Sequence, residues 1–171
     1  LQAFLTHQIN RKWAVNFAAF STFGKGYYEE FKANQRLTKY QLSSLTATRG
    51  DIVRRRWLDN VFFGGLWGIG YENKKWDVKV GGMAAQYFGN HFGKVISCST
   101  CETVDSKNNY YYSKGKKTDV NVYAKANYSV TSKIILTADL QYRYVGYSTK
   151  GNNNDLENFD IHQQWHFFNP K

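Results

Sequence analysis

Two cysteines and two histidines are the residues of this chain whose types and spacing suggest chemistry first. Cys98 and Cys101 form a CSTC motif, a spacing used by redox pairs and by half of a zinc site. The sequence has no second CxxC, and His91 is the only nearby imidazole. We therefore expect a disulfide that braces a surface loop, with zinc binding and free thiols as the alternatives. We expect no metal and no cofactor.

His162 and His166 are four residues apart, which on a strand puts them on one face but well separated. Asp160 shares that face, so an aspartate and a histidine of a hydrolytic triad would be present. A catalytic histidine also needs a nucleophile within hydrogen-bond reach, and no GxSxG-like elbow occurs in the chain. We therefore expect the protein not to be an enzyme.

The elements that must position these residues are β-strands. Between residues 134 and 144, apolar side chains such as Leu136 and Leu140 alternate with polar ones such as Asp139 and Gln141, so one face is apolar and the other polar. This run is long for a soluble strand and close to the roughly 9–11 residues that cross a bilayer at a tilt. The 13 Tyr, 12 Phe and 5 Trp against one Pro and one Met also favour an all-β chain.

Similar alternation recurs along the chain and predicts seven strands with a regular order of connections. The predicted strands are residues 1–8, 13–24, 56–71, 76–87, 119–128, 134–144 and 159–167. Short turns alternate with long polar segments, which are residues 25–52, 91–117 and 150–158. If consecutive strands pair antiparallel, all short turns lie at one end of the sheet and all long loops at the other. This asymmetry is typical of outer-membrane barrels, so we predict an antiparallel up-and-down meander from a transmembrane β-barrel.

Aromatic residues support the membrane interpretation, because they collect at strand ends on the apolar face, as girdles at membrane interfaces do. Beside the short turns are Trp13, Tyr71, Trp76, Tyr128 and Phe167; toward the long loops are Phe23 and Tyr144. The alternative is a soluble β-sandwich that binds carbohydrate or protein, because two apolar faces packed in a shared core also produce alternation.

The formal charge of +10 raises the question of a polyanionic partner. The basic residues are spread through turns and loops without a nucleic-acid recognition motif, so we expect no nucleic acid to bind. The densest clusters are Arg54, Arg55 and Arg56, and Lys114, Lys116 and Lys117. Each cluster is interpreted either as a solvated strand end or as a contact for anionic lipid headgroups and lipopolysaccharide phosphates.

Three segments also resemble a known family. The sequences GKGYYEE at 24–30 and RRRWLDNVFFGG at 54–65 resemble the middle of the barrel in TonB-dependent outer-membrane receptors of Gram-negative bacteria. The segment WHFFNPK at 165–171 is similar to strand-and-turn sequences found later in those barrels. The resemblance extends over nearly the whole chain.

The resemblance implies a 22-stranded barrel with an N-terminal plug and energised uptake of a scarce ligand, such as an iron chelate, a corrinoid or a glycan. Residues 1–171 are then expected to be part of the barrel domain, with both ends cut and with the plug domain and the remaining strands outside this sequence. The implied location is the Gram-negative outer membrane. The implied partners are outer-membrane lipid and lipopolysaccharide, the rest of the barrel with its plug, and TonB indirectly through the plug.

In such a barrel the polar side chains of the strands face the lumen, where a plug hydrogen-bonds to them. We expect this of Asp119, Asn121, Lys125, Asp139, Gln141, Arg143, His162 and His166. Ligand contacts are expected in the extracellular loops, with Tyr27, Tyr28, Tyr110, Tyr111 and Tyr112 as candidates.

Overall fold

The computed structural model describes residues 1–171 as one antiparallel sheet of seven strands. The strands are β1 (Gln2–Gln8), β2 (Trp13–Arg36), β3 (Arg49–Glu72), β4 (Trp76–Cys98), β5 (Tyr111–Ser129), β6 (Ile135–Asn152) and β7 (Asn158–Pro170). Each strand pairs with its neighbour in sequence, and β1 does not pair with β7. The predicted all-β, up-and-down meander is confirmed. The two-sheet sandwich fold of the alternative is wrong, because the chain forms a single sheet; its function as a soluble binding protein stays a prediction.

The sole helical element is a 3-10 turn, Leu37–Tyr40. No helix in the chain is both long enough and apolar enough to span a membrane.

Asparagine side chains shape two of the short turns, which lie at one end of the sheet. In the turn between β1 and β2, Asn10 Oδ1 accepts hydrogen bonds from the backbone N–H groups of Lys12 and Trp13. Asn73 does the same for Lys75 and Trp76 between β3 and β4. Such Asx turns replace the backbone hydrogen bonds that the strands lose where they reverse. The short turns therefore follow from local sequence.

Strand register divides the side chains of β2–β6 between two faces. Phe17, Trp67, Gly82, Val122 and Tyr142 lie directly opposite one another in consecutive strands. Residues opposite each other in a ladder point to the same side of a sheet. We call the side of this row the apolar face. The alternation predicted for these strands is confirmed.

The opposite side is the polar face. One row across it comprises Asn16, Gly68, Gly81, Tyr123 and Gln141. Farther along the same strands, Arg143 lies opposite Asn121, and Asp119 lies opposite Val145. Polar and small residues thus predominate on this side of the five strands, with Phe62 and Leu66 of β3 as large apolar exceptions.

Strand β7 departs from the predicted facing. Tyr144 on the apolar face lies opposite His166, and Arg143 on the polar face lies opposite Phe167. His162 and His166 therefore lie on the apolar face, and the prediction that they share a side with Arg143 is wrong. Phe167 is likewise wrongly placed in the apolar girdle. The cause is register, because a shift of one residue exchanges the two faces of a strand.

The connection between β6 and β7 sets that register. Asn153 Oδ1 accepts hydrogen bonds from the backbone N–H groups of Asp155 and Glu157. The backbone N–H of Asn153 donates to the Glu157 carbonyl, and Asn152 lies opposite Asn158. A compact loop of this kind fixes which residues meet across the hairpin, regardless of their hydrophobicity.

Cysteine cross-linking tests this register. We expect Tyr144→Cys combined with His166→Cys to form a disulfide on mild oxidation, because directly opposed strand residues meet the Cα separation of a disulfide. The control pair, Tyr144→Cys with Phe167→Cys, points to opposite faces and should remain reduced. Mobility on non-reducing gels after proteolysis between the two strands measures the outcome. A disulfide in the control pair alone would contradict the register.

The strands reach much farther than alternation predicted at the end of the long connections. The segments predicted as polar connections at 25–52, 91–117 and 150–158 contain strand at their flanks, and the loops themselves are only residues 37–48, 99–110 and 153–157. Opposite charges hold the extended part together, as in the pairs Lys25–Asp59 and Arg55–Glu29. The short turns and the loops do lie at opposite ends, as predicted.

Burial is concentrated at the loop end of the sheet. Only 15 of 171 residues are buried, and the buried cluster comprises Tyr40, Ile52, Val95, Tyr110 and Tyr111. On the apolar face, large side chains stay open: Phe17 is 50% exposed, Val122 43% and Leu140 47%. The sheet therefore has a small core under its loops and an uncovered apolar surface along most of its length.

Candidate functional site

The loop end of the polar face carries a buried arginine. Arg54 lies opposite Glu30, and its Nε and Nη2 donate to Glu30 Oε2 at 2.9 and 2.7 Å. Its Nη1 donates to the hydroxyls of Tyr40 at 3.3 Å and Tyr110 at 3.5 Å. Arg54 is only 8% exposed. One guanidinium thus joins two strands to both loops that cover them.

This arrangement shifts the pKa values of Glu30, Arg54 and Tyr110, all of which lie beyond the apolar part of the sheet. The hydrogen bond from Arg54 holds the pKa of Glu30 below its ordinary value. Burial, the largest single influence, lowers the pKa of Arg54, but the hydrogen bond to Glu30 and the electrostatic interactions with Tyr110, Tyr40 and Glu30 together outweigh it, so the net pKa is raised. Burial raises the pKa of Tyr110 to about 12. The cluster is therefore a charged pair capped by neutral phenols.

Tyrosine rings pack around the arginine. The rings of Tyr40 and Tyr110 are 4.9 Å apart between centroids, and those of Tyr110 and Tyr111 are 5.0 Å apart. Gly93 lies beneath them, where a Cβ atom would collide with both the Tyr110 and Tyr111 rings. The absence of a side chain at Gly93 therefore lets these rings approach the sheet.

The three loops close over this packing. Gln41 Nε2 donates to the carbonyl of Tyr110 at 2.9 Å, and the Tyr110 hydroxyl donates to Asn154 Oδ1 at 3.3 Å. Lys39 forms an ion pair of 2.5 Å with Asp155. Loops that are distant in sequence are in this way tied to one tyrosine.

Beside the buried cluster is an open cleft on the polar face. Its volume is about 520 Å³. It is lined by side chains and glycines of β2–β5, among them Gly24, Gly26, Tyr28, Arg56, Asn60, His91 and Tyr111. Around Gly26, nothing lies within 4 Å of the position a Cβ would occupy. Gly26 on β2 therefore leaves the floor of the cleft free, whereas at Gly24 the Asn60 side chain fills the space.

Arg56 is the charged group of this cleft. Its Nε donates to the Tyr111 hydroxyl at 3.3 Å, and its guanidinium lies 5.6 Å from the centre of the Tyr28 ring. Unlike Arg54 and Arg55, it forms no ion pair with a carboxylate. A partly exposed guanidinium between two phenol rings can bind a carboxylate or phosphate while the rings contact an apolar or cyclic part of the ligand.

The five tyrosines predicted to bind ligand separate into two groups. Tyr27, Tyr28 and Tyr111 are all among the residues that line the cleft, and Tyr110 is 2% exposed behind them. The Tyr27 ring packs on Trp57 of the apolar face at 4.4 Å, and the Tyr112 hydroxyl donates to Asn90 on that face. The prediction that these tyrosines lie in loops holds for Tyr110, the last residue of loop 99–110, and is wrong for the other four, which lie within strands.

Sequence reasoning missed Arg56, Asn60 and His91 as residues of the cleft. A signal was present in the arginine run, because alternate residues of a strand face opposite sides. Arg54 and Arg56 consequently share the polar face, while Arg55 pairs with Glu29 on the other. His91 could not be placed without knowing that β4 continues to Cys98.

The residues predicted to face a lumen occupy the polar face in β5 and β6. Arg143 donates from Nε and Nη2 to both carboxylate oxygens of Asp119, at 2.9 and 2.5 Å. Asp139 lies opposite Lys125, and Gln141 lies opposite Tyr123. His162 and His166 are outside this group; His166 Nδ1 lies 2.6 Å from the Tyr142 hydroxyl on the apolar face.

Cys98 and Cys101 are joined by a disulfide. It lies where β4 ends, and neighbouring residues tie this corner to β3: Ser99 N–H donates to the Asp51 carbonyl, and the Thr100 hydroxyl donates to the Arg49 carbonyl. The disulfide thus closes a turn at the start of loop 99–110. No three His, Cys, Asp or Glu side chains come together as metal ligands.

The raised pKa of Tyr110 gives an alkaline prediction. The ordinary value of 10.0 rises to about 12 in the folded chain, so below pH 10 both folded and unfolded chains carry the proton. Between pH 10 and 12 only the folded chain keeps it, and stability falls as pH rises through this window. Tyrosinate absorbance should show that Tyr110→Phe removes one late-titrating phenol in the native protein but an ordinary one in denaturant. An unchanged late phase in the variant would contradict this burial.

Comparison of the chain with protein-family models and with curated proteins gives no match. Its site is therefore interpreted from its own residues: a buried Arg54–Glu30 pair that organises the loops, beside an open cleft with one unpaired guanidinium.

Proposed function

We propose that this chain forms part of the wall of an outer-membrane receptor barrel of the TonB-dependent class, which takes up a scarce ligand by energised transport. One observation carries the proposal: an uncovered apolar face continues across five long antiparallel strands while the other face holds the polar network. Leaving such a face in water is unfavourable, since complete burial of a large apolar side chain is worth about 1.5–3 kcal/mol and Phe17, Val122 and Leu140 are only about half buried. Lipid contact would remove that cost.

The dimensions of the apolar face fit a bilayer. Along β3, apolar-face residues run from Tyr71 to Val61, which is about 33 Å at roughly 3.3 Å per residue. A strand tilt of about 40° reduces this to about 25 Å along the membrane normal, the height of the apolar band in outer-membrane barrels. At the turn end the band is bordered by ring pairs, Trp13–Tyr71 at 4.8 Å and Trp76–Tyr128 at 4.5 Å, in the position of an interfacial girdle.

The polar face suits a lumen. The Arg143–Asp119 pair is only partly covered, and the Asn127 amide bridges between Asp77 and the hydroxyl of Thr137. Hydrogen-bonded networks of this kind lose little free energy when they face water or a polar plug. Contact with hydrocarbon would cost them much more, because polar and charged groups are poorly solvated there. The contrast between the two faces therefore supports a proposal in which lipid contacts one side and a hydrated interior contacts the other.

The cleft containing Arg56 then opens into the lumen, beyond the apolar band on the side of the loops. We propose it as a ligand contact of the receptor. Its two tyrosines and single uncompensated arginine favour a ligand that combines an anionic group with a ring or other apolar part. The Arg54 cluster behind it holds the loops in position and does not itself contact the ligand.

Accessibility in intact cells tests the proposed topology. Leu45→Cys lies in loop 37–48 and is 92% exposed at Leu45, so it should react with a maleimide too large to cross porins. The matched variant, Lys74→Cys in the turn between β3 and β4, should react only after the outer membrane is broken. The reverse pattern would overturn the orientation. Release of the protein from cells without detergent would overturn the membrane location.

A further inference from the structure

The turn closed by the disulfide, residues 98–101, is the point where two loops and a strand meet. We call it the CSTC turn. Ser99 is bound twice to Asp51 of β3, because its backbone N–H donates to the Asp51 carbonyl and its hydroxyl accepts from the Asp51 N–H, both at 2.9 Å. Gly50 lies beneath Thr100, where a Cβ atom would collide with the threonine side chain. The CSTC turn therefore lies directly against the start of β3.

The tip of loop 37–48 is bound to the same turn. The Ser44 hydroxyl donates to the Thr100 carbonyl at 2.6 Å, and the backbone N–H of Leu45 donates to Glu102 Oε1 at 3.0 Å. Leu45 itself is 92% exposed, so apolar packing does not hold the tip in place. Its position therefore depends on the conformation of Thr100 and Glu102, which lie on either side of Cys101.

Two loops held by the CSTC turn enclose a cavity of about 530 Å³. Its lining includes Ser43 of loop 37–48, Thr103 and Asn109 of loop 99–110, and the buried Tyr110. The Tyr110 ring packs in turn on Tyr111, which lines the Arg56 cleft. Release of the CSTC turn would therefore open this cavity and loosen one wall of the neighbouring cleft.

The disulfide lies at the border of the buried cluster. Cys98 lies opposite Ile52 and packs against the cluster, as Leu42 and Val104 do. Cys98 and Cys101 are nevertheless both partly exposed. The bridge is therefore near the surface, although the residues around it contribute to the small core under the loops.

The bridge also closes a very small ring, because its cysteines are only three positions apart in sequence. Disulfides stabilise a fold chiefly by restricting the unfolded chain, and this effect grows with the number of residues enclosed. By linkage, a fold that gains little from a disulfide also does little to protect it from reduction. Exposed disulfides without such protection are the labile and regulatory ones. The short ring and the surface position therefore favour reduction in the folded state.

We propose that the Cys98–Cys101 disulfide is a redox switch, which a low-molecular-weight thiol reduces in the folded protein to release the tip of loop 37–48 and the start of loop 99–110. Two thiol molecules supply two electrons and two protons: the S–S bond breaks, two cysteine thiols form, and the reductant becomes its own disulfide. The Arg54 cluster stays in place, so the sheet and the Tyr110 end of loop 99–110 remain folded. The switch is independent of what covers the apolar face, because the CSTC turn lies beyond the apolar band.

The test treats the full protein, folded and without denaturant, with an excess of reduced glutathione. Alkylation of new thiols followed by mass spectrometry reports the reduction of Cys98 and Cys101. On reduction we expect hydrogen exchange of residues 41–46 and 99–104 to become at least about tenfold faster, while exchange of residues 13–30 in β2 stays unchanged. The matched control, Cys98→Ser with Cys101→Ser, should exchange fast from the start and show no response to glutathione.

A disulfide that resists glutathione until the protein unfolds would overturn the switch, because the fold would then protect the bridge. Reduction without faster exchange would overturn it too, since the loops would not depend on the bridge. Ser44→Ala gives a second measurement with both cysteines intact. It removes the hydrogen bond to Thr100 and should speed exchange of residues 41–46 but not of residues 99–104. Equal exchange of residues 41–46 in this variant and the wild type would contradict the attachment of the loop tip to the CSTC turn.

Discussion

Replacing Arg54 with methionine is expected to free loops 37–48 and 99–110 from the sheet. The change removes the guanidinium that joins Glu30 to the hydroxyls of Tyr40 and Tyr110. Loss of one partner leaves a carboxylate without its counter-ion, at a cost of about 2–3 kcal/mol once the 29% exposure of the Glu30 side chain is taken into account. Hydrogen exchange of the two loops measures the effect as faster exchange of roughly 30–150-fold.

Arg55→Met is the matched control. Arg55 also pairs with a glutamate, Glu29, but on the apolar face, where the two side chains are 33% and 47% exposed. Exposed pairs of this kind contribute about 0–1 kcal/mol. Loop exchange should therefore change little. Equal acceleration by both substitutions would contradict the role assigned to Arg54 and would imply a general effect of lost positive charge.

Placing a lysine at Val122 is expected to impair membrane assembly strongly. Val122 lies in the middle of the apolar face, opposite Gly82 and Tyr142. A lysine at the bilayer midplane on the lipid side of a barrel costs about 2–4 kcal/mol. The adjacent substitution Asn121→Lys introduces the same residue on the polar face, where it should cost much less. Leu136→Lys and Thr137→Lys provide a second such pair on β6.

The measurement is the fraction of each variant that folds into lipid vesicles, followed by the shift in gel mobility between heated and unheated samples. We expect Val122→Lys to need a markedly lower urea concentration than Asn121→Lys to unfold. If neighbouring substitutions on opposite faces have equal effects, neither face is in contact with lipid and the proposed location fails.

Alternation predicted the strands only where one face is apolar. Residues 134–144 satisfy that condition, and β6 begins at Ile135 as expected. Beyond the apolar band, charged and polar residues occur on both faces, so the period of two disappears although pairing continues. Residues 25–36 were accordingly predicted as a polar connection, whereas Glu29 and Glu30 lie in β2 opposite Arg55 and Arg54. Cross-strand charge pairs indicate that the strands continue, but these pairs can be identified in the sequence only when the register is known.

The prediction of which β7 residues lie on each face was wrong for a different reason. Phe159, Ile161, Trp165 and Phe167 form an apolar series, and hydrophobicity alone assigned it to lipid. The Asn153 turn instead aligns Tyr144 with His166. Local turn geometry therefore overrides strand hydrophobicity at this hairpin. Similarly, the Arg56 cleft depends on residues from four strands, so its composition could not be obtained from motifs along the chain.

The size of the native polypeptide in a detergent-solubilised outer-membrane fraction tests the central claim most directly. An antibody against residues 150–158, which include the β6–β7 loop, would detect it. We predict a band several times larger than 19.8 kDa, present only after detergent is added, as expected for one section of a receptor barrel. A band at 19.8 kDa released without detergent would contradict the claim and favour a soluble binding protein.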